Sequence, residues 1–393
     1  MRPDDFAGAD RPELAVVGVH TSSEAYPNTK HRLEGLRGAF QVTEVNSPLW
    51  VEPGDGIRIA SRQLHGGWRV LKCHVALMRR YFAMRPPLRA YVPYPAVIVL
   101  LLWSFLPRGL RPRWIVADAF ISLYDTVVDD RQLLASGSWR ARLLRWAERR
   151  AYSTADRIVV DTAENAECYA RLFALPRRQF VPIPLSTNET DYRRAPYRAE
   201  NNVCKVLFVG TLIPLHGIET ITAAAALLAH RADIRFLLIG DGQESVKIQQ
   251  ALDAGLTNVE WDRNWRSPAE LAAAIESADI CLGVFGAGDK TQRVCPYKLY
   301  AYSAVGRAVV TADTLWVRSS TNSFGCTAFS VVPPSDPNSL ALRISGLAQM
   351  RNERISLARN SGRFYTEKLG NQLAMSLLIP CLMEGSRQDD PVA

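Results

Sequence analysis

From Val206 onward the chain repeats one pattern: a short β-branched or aromatic run, a turn, then a segment with helical spacing of its apolar residues. The runs are VLFVG, IRFLLIG, NVEWD, DICLGVF, AVVTAD and AFSVVP, and segments such as ETITAAAALLAH and SPAELAAAIESA lie between them. Neighbouring parallel strands need a long crossover, which a helix supplies, so this alternation predicts a doubly wound parallel sheet of α/β class. The first half reads the same way with less regularity. Strands are expected at ELAVVGV (13–19), QVTEV, AYVPYP, residues 114–117, DRIVVDT and QFVPIP. Helices are expected around 31–37, 68–84 and 139–152, and in AENAECYARLFA with Thr162 as its cap. The polar stretch LSTNETDYRRAPYRAENN has no apolar period and predicts a linker. The expected organisation is a domain over 1–185, a linker over 186–202, a second domain over 203–365, and a final segment, 366–393, whose helix packs back on the first domain before a frayed tail.

A chain of 393 residues suffices for two domains with separate cores, and 48% hydrophobic with 22% charged residues is ordinary for a folded protein. The seven cysteines form no CxxC pair and read as reduced thiols, with neither a zinc site nor a disulfide frame expected. The opening MRPDDFAGAD has no apolar core and does not read as a signal peptide. The longest apolar run, AVIVLLLWSFL (96–106), is about half of what a bilayer span requires. Arg79, Arg80, Arg85 and Arg89 precede that run and Arg108, Arg111 and Arg113 follow it. With Trp103 and Phe105 it is either a helix resting on an anionic membrane or a core helix with a solvated rim. The net charge of +8 suits a phosphate-bearing substrate or such a membrane face. Nucleic acid is not expected as a partner, because the basic residues lack an aromatic-interleaved recognition motif. The expected location is the cytoplasm, either free in it or at the inner face of the membrane.

Chemistry concentrates at strand ends of the second half. DICLGVF runs into Gly286-Ala287-Gly288, then Lys290, Arg293 and Pro296 at the start of a helix. VLFVG runs into TLIPLHG, which sets His216 and Gly217 at the mouth of another helix, and IGDGQE adds Gly240 and Gly242. Small residues, unpaired helix N–H groups and cations together suit an anion, and two such mouths on one sheet suit a diphosphate. Taken singly, each cation also reads as a solvated charge and His216 as a loop-packing residue. In the first half the long polar turn HTSSEAYPNTK reads as ligand-facing, and without GxGxxG it is not expected to hold NAD. Asp118 falls at a strand's carboxyl end, with Ser122, Asp125, Asp129 and Asp130 close behind. Such carboxylates serve either as a base towards a hydroxyl or as caps and solvated charges.

In this order the motifs resemble the group-1 glycosyltransferases, family 4 of the GT-B architecture. The stretches that carry the likeness are FVGTLIPLHG (208–217), LIGDGQ (238–243) and LGVFGAGDKTQRVCPYK (282–298), with EAYPN (24–28) and ISLYDTVVDDR (121–131) in the first half. The resemblance implies two Rossmann-like doubly wound domains facing across a cleft. It also implies a retaining, metal-independent transfer of a hexosyl group from a UDP- or GDP-sugar co-substrate, with no cofactor. The setting implied is polysaccharide or cell-surface glycan assembly, with a glycan or lipid-linked acceptor. The residues so assigned are Asp118, Lys290 and His216 for catalysis. Gly210, Thr211, Gly217, Gly240, Gly242, Gly286, Gly288, Arg293 and Lys298 are assigned to the donor, and Glu24, Tyr26, Asn28, Ser122 and Asp125 to the acceptor. No metal ligands are implied. Thr211 stands where many relatives have a diphosphate-binding arginine, His216 where they have lysine, and Asp118 where they have a first-domain histidine. Arg293 and Ala301 stand where many relatives have two glutamates. A catalytically silent binding or scaffold protein, and a phosphorylase or epimerase of the same build, are the rival readings.

Overall fold

The computed structural model describes residues 11–24, 26–50, 63–131, 133–197, 203–264, 266–322 and 324–386, with no side-chain description for 63–66. The chain divides into two compact units. One comprises Met1–Val128, Leu133–Ser186 and Asn371–Ala393, the other Asp129–Gln132 and Thr187–Gly370.

The first unit is built on β1 (Glu13–Gly18), β2 (Gln41–Asn46), β3 (Arg89–Val92), β4 (Trp114–Asp118), β5 (Arg157–Val160) and β6 (Phe180–Pro182), in the order β2-β1-β3-β4-β5-β6. Every described pairing is parallel. The second unit holds β7 (Cys204–Val209), β8 (Ile234–Ile239), β9 (Val259–Asp262), β10 (Ile280–Leu282), β11 (Ala308–Ala312) and β12 (Ser330–Val332), in the order β12-β11-β10-β7-β8-β9. These pairs are parallel too, with Val206 opposite Phe236 on one side and Ile280 on the other. In each sheet the chain first winds outward from one strand, then returns to that strand's other side. The switch falls between β1 and β3 in one sheet and between β7 and β10 in the other. Open α/β sheets take their ligands at the carboxyl ends of the strands flanking such a switch.

Central strands covered on both faces read as near-continuous apolar runs, and here they are buried accordingly. Val206, Phe208, Leu238, Ile280 and Val310 pack with Ile218, Ile221, Leu340 and Ile344 from the covering helices. Each such side chain contributes about 1.5–3 kcal/mol on leaving water. Local chemistry sets the element ends. Ser267 caps the helix Pro268–Ser277 in a reciprocal box with Glu270, and Thr162 accepts from the Asn165 N–H as expected.

Three expectations are refined. β10 covers only Ile280–Leu282, because Gly283 to Phe285 already turn into the loop, and Lys290 and Arg293 sit on a short helix, Asp289–Arg293. The apolar run forms the helix Val97–Ser104, whose Val99, Leu100 and Trp103 are fully buried. It is a core helix, and only Phe105 at its end is turned outward. From Thr187 on, the described part of the polar stretch is anchored to the second unit. The Ala195 N–H donates to the Val305 carbonyl (3.1 Å), Tyr197 donates to Asp279, and buried Arg307 donates to the Ala195 carbonyl (3.0 Å). The helix Asn371–Met383 returns to the first unit, where Met375 lies against Gly35 and the Trp114 indole donates to the Cys381 carbonyl (3.0 Å). All seven cysteines are free.

Candidate active site

Three turns at the carboxyl ends of β7, β8 and β10 are built into one another. The Phe285 and Gly286 N–H groups donate to the His216 and Leu215 carbonyls (3.1 and 3.2 Å), joining the β10 turn to the β7 turn. The Gly210 N–H donates to Ile239, the Leu212 N–H to Asp241, and the Glu244 N–H back to Leu212, joining the β7 turn to the β8 turn. The contacts are too close for side chains. A Cβ on Gly217, at φ +65°, would lie 2.6 Å from the Phe285 carbonyl carbon, and one on Gly240, at φ +132°, 2.0 Å from the Gly210 oxygen. Gly242 and Gly286 face the backbone of Leu212 and of Pro214 and Leu215 at comparable distances. Gly288 differs: its added Cβ would meet only Thr291 Oγ1, at 3.9 Å, so packing does not demand glycine there. Gly240→Ala is expected to destabilise the protein by about 1–3 kcal/mol. It should also weaken nucleotide binding, because the Gly210 backbone must move. Denaturant melts with and without UDP check both.

Lys298 and His216 meet over the Gly210 backbone. A Cβ on Gly210 would lie 2.9 Å from Lys298 Nζ and 3.0 Å from His216 Cε1. The Phe208 ring supports both, with Lys298 Nζ 4.2 Å from its centroid and the His216 ring edge-on at 5.4 Å. Lys298 lies in the first turn of the helix Tyr297–Val305, which Pro296 caps, and Tyr302 of that helix accepts the Val209 N–H at the end of β7 (2.9 Å). Lys298 is 8% exposed and His216 6%, and neither Lys298 Nζ nor His216 Nδ1 has a hydrogen-bond partner. Burial holds the Lys298 ammonium well below its ordinary pKa. Burial, then the neighbouring Lys298 charge, does the same for His216, against a hydrogen bond to the Thr211 backbone. A buried ammonium left unpartnered is costly, and a site that needs an anion is the usual reason to retain one.

The other assigned cations are already engaged. Lys290 lies 3.5 Å from Asp130, which belongs to the same unit. Buried Arg293 donates to Asp289 (2.9 Å) one helical turn away. Thr211 is exposed at the end of β7. Among the described residues no group of three His, Cys, Asp or Glu side chains is arranged to hold a metal ion.

The first unit sorts its assigned residues differently. Asp118, at 1% exposure, is ion-paired with buried Arg32 and accepts from the Tyr91 hydroxyl (3.1 Å). Burial, the largest single influence, would lower the Arg32 pKa, but the charges of and hydrogen bonds to Asp118 and Tyr91 together outweigh it and the guanidinium stays above its ordinary value. Asp118 at the end of β4 is thus one half of a buried ion pair. Ser122 and Asp125 are buried as well. The Ser122 hydroxyl donates to Glu148 (2.9 Å) and accepts the Asp125 N–H (3.1 Å). Glu148 also accepts the Leu123 and Tyr124 N–H groups (both 2.8 Å) and the Tyr152 hydroxyl (3.0 Å), and burial outweighs these donors to raise its pKa. Asn28 accepts the Ser186 N–H (2.8 Å), and Glu24 pairs with Lys30. The buried Asn28 Nδ2 has no hydrogen-bond partner. Tyr26 joins an aromatic surface. It stacks on Trp50 at 5.9 Å, Trp50 on Tyr94 at 6.3 Å, and Tyr94 packs on Phe120 at 4.9 Å, beyond the ends of β1 to β4. The Trp50 indole N–H there is buried without a partner. Sequence spacing does not connect these four rings; their common position after successive strands does.

Residues 204–350 match the family model described as glycosyl transferases group 1. This segment is a group 1 glycosyltransferase domain. Its three interlocked turns all fall within the match. No curated protein matches the chain in sequence. Solved structures share the folds of both units. Sucrose-phosphate synthase from Thermosynechococcus elongatus is 16% identical with a TM-score of 0.68, covering 97% of this chain and 100% of that one. Anabaena HepE in complex with UDP and glucose is 11% identical at 0.63, covering 95% and 99%. A glycosyltransferase from Rickettsia africae is 12% identical at 0.62, covering 97% and 100%. The fold is therefore GT-B, two Rossmann-like domains of α/β class.

Proposed function

We propose that the protein is a retaining, metal-independent glycosyltransferase that moves a sugar from a nucleotide-diphosphate donor to a hydroxyl acceptor in glycan or polysaccharide assembly. The observation that carries this reading is the unpartnered Lys298 ammonium beside His216, at the switch of the second sheet, within a group 1 glycosyltransferase domain. The diphosphate lies over Gly210 and receives Lys298 Nζ and the His216 ring. The free N–H groups at the start of the helix Ile218–Leu227 face the same negative charge. Breaking the glycosidic bond leaves charge on the leaving phosphate oxygen. Fixed donors there favour the transition state over the ground state. No base from the first unit is needed if the leaving phosphate oxygen itself takes the acceptor's proton on the same face. That arrangement agrees with Asp118 being spent in an ion pair. HepE, bound to UDP and glucose in its solved structure, supports UDP as the first nucleotide to test. The acceptor, a glycan or a lipid-linked one, is recognised by the first unit at Tyr26 and its aromatic neighbours, at the inner face of a membrane.

UDP binding is expected to take up protons. An anion over Gly210 raises the depressed pKa values of His216 and Lys298, so affinity rises as pH falls through the usual imidazole range and levels off only below the depressed His216 value. Calorimetry with UDP, then GDP, in two buffers of different ionisation enthalpy reads this directly. Binding without proton uptake removes the two side chains from the diphosphate site. Binding with uptake but no turnover of any UDP- or GDP-sugar supports the silent scaffold, which the absence of glutamate at Arg293 and Ala301 favours.

A further inference from the structure

Two basic helices of the first unit turn an apolar stripe to solvent. On the helix Gln63–Phe82, His74, Leu77 and Tyr81 face the core. Trp68 (66% exposed), Leu71, Val75 and Phe82 face outward at spacings of three, four and seven, about a third of a turn round the helix from that buried row. On the helix Trp139–Tyr152, Trp139 (69% exposed), Leu143 and Trp146 do the same. The helix Val97–Ser104 links the two. Tyr81 packs on its Trp103 at 5.2 Å, Arg150 donates to the Ser104 carbonyl (3.0 Å), and Arg150 lies over exposed Phe105 at 5.7 Å. The stripes are flanked by exposed Lys72, Arg79 and Arg80 on one helix and Arg142, Arg145 and Arg149 on the other. The first helix has no Asp or Glu, and the only one on the second, Glu148, is buried.

We propose that this face docks on an anionic lipid surface, with Trp68, Leu71, Trp139 and Trp146 as apolar anchors and the flanking cations against lipid head groups. Exposed aromatic and aliphatic side chains bordered by one sign of charge suit the boundary between acyl chains and head groups. The residues differ from the 96–106 run that the sequence singled out, since that run is core. No described helix is long and apolar enough to cross a membrane, so contact would be peripheral. The inference gives the membrane setting its residues and uses nothing of the donor site, so either can fail while the other stands.

The test is co-sedimentation of the full-length protein with vesicles of phosphatidylglycerol and phosphatidylcholine in equal parts, and of phosphatidylcholine alone, at low and high salt. The parent should bind the anionic vesicles, release in high salt, and leave neutral vesicles nearly unbound. Trp68→Ser with Trp139→Ser should weaken partitioning roughly tenfold or more, as loss of two buried anchors implies. Lys72→Glu with Arg79→Glu should do the same without removing apolar area. Leu342→Ser, at a residue 77% exposed on the second unit, should change nothing. Unaltered partitioning of both double variants overturns the proposal, as does failure of the parent to bind anionic vesicles. A lipid-free dimer that both double variants dissolve would assign the face to a second copy and overturn it equally.

Discussion

Lys298→Met is expected to lower turnover with the nucleotide-sugar donor by roughly a hundredfold or more while leaving the unliganded protein as stable as the parent, or more stable. The two halves of that result have one cause. The ammonium is buried over the Phe208 ring without a hydrogen-bond partner, so in the empty protein it contributes a desolvation cost and no compensating pair. Methionine keeps the stem's volume and removes that cost. With the donor in place, the same position meets the charge that builds on the leaving diphosphate, and methionine offers nothing to it. The pH dependence of stability supplies an independent check. Between the depressed folded value and the ordinary 10.5, the unfolded chain binds a proton at Lys298 that the folded chain does not, so stability rises with pH across that window. The slope should be missing in Lys298→Met. Steady-state rates, UDP affinity and denaturant melts at several pH values read all three. A variant with parental turnover would leave the diphosphate to Lys290 and Arg293.

The surroundings of the two lysines differ in a way that spacing does not show. The glycine turn with Lys290 and Arg293 is the louder motif, and the resemblance assigns catalysis to Lys290 with His216 and Asp118. The carboxylates that engage those cations are Asp130, which is 160 residues from Lys290, and Asp289, one helical turn from Arg293. Lys298 ends the 282–298 motif and is assigned to the donor, but its burial and isolation depend on Phe208 and Gly210 arriving from another strand. The fold, by contrast, was open to a local reading. Six short apolar runs alternating with helix-period segments leave few arrangements other than a parallel sheet, and the order β12-β11-β10-β7-β8-β9 follows that class. The helix Val97–Ser104 shows where local reading stops. Its composition fits a membrane surface as well as a core, and only the packing of Trp103 against Tyr81 decides between them.

Asp118→Ala is expected to destabilise the first unit by about 3–5 kcal/mol, the cost of leaving a buried charge without its partner. Arg32 would retain the Ile183 and Pro184 carbonyls (3.3 and 3.0 Å) and the Tyr91 hydroxyl, which satisfy N–H groups without neutralising the guanidinium. The pair ties the helix Pro27–Ala39 and the chain after β6 to the end of β4, so its loss loosens three elements at once. Asp118→Asn separates this role from acid–base chemistry, because asparagine keeps the shape and an acceptor for Arg32 but cannot take a proton. A general base replaced by asparagine loses turnover with stability nearly intact. A framework carboxylate so replaced loses stability first, and its rate per folded molecule stays near that of the parent. Arg32→Met combined with Asp118→Leu completes the argument: removing both charges should recover much of the stability that Asp118→Ala loses, since the penalty belongs to the orphaned charge and not to the absence of the pair. Denaturant melts of the three variants, with rates normalised to the folded fraction, distinguish these outcomes.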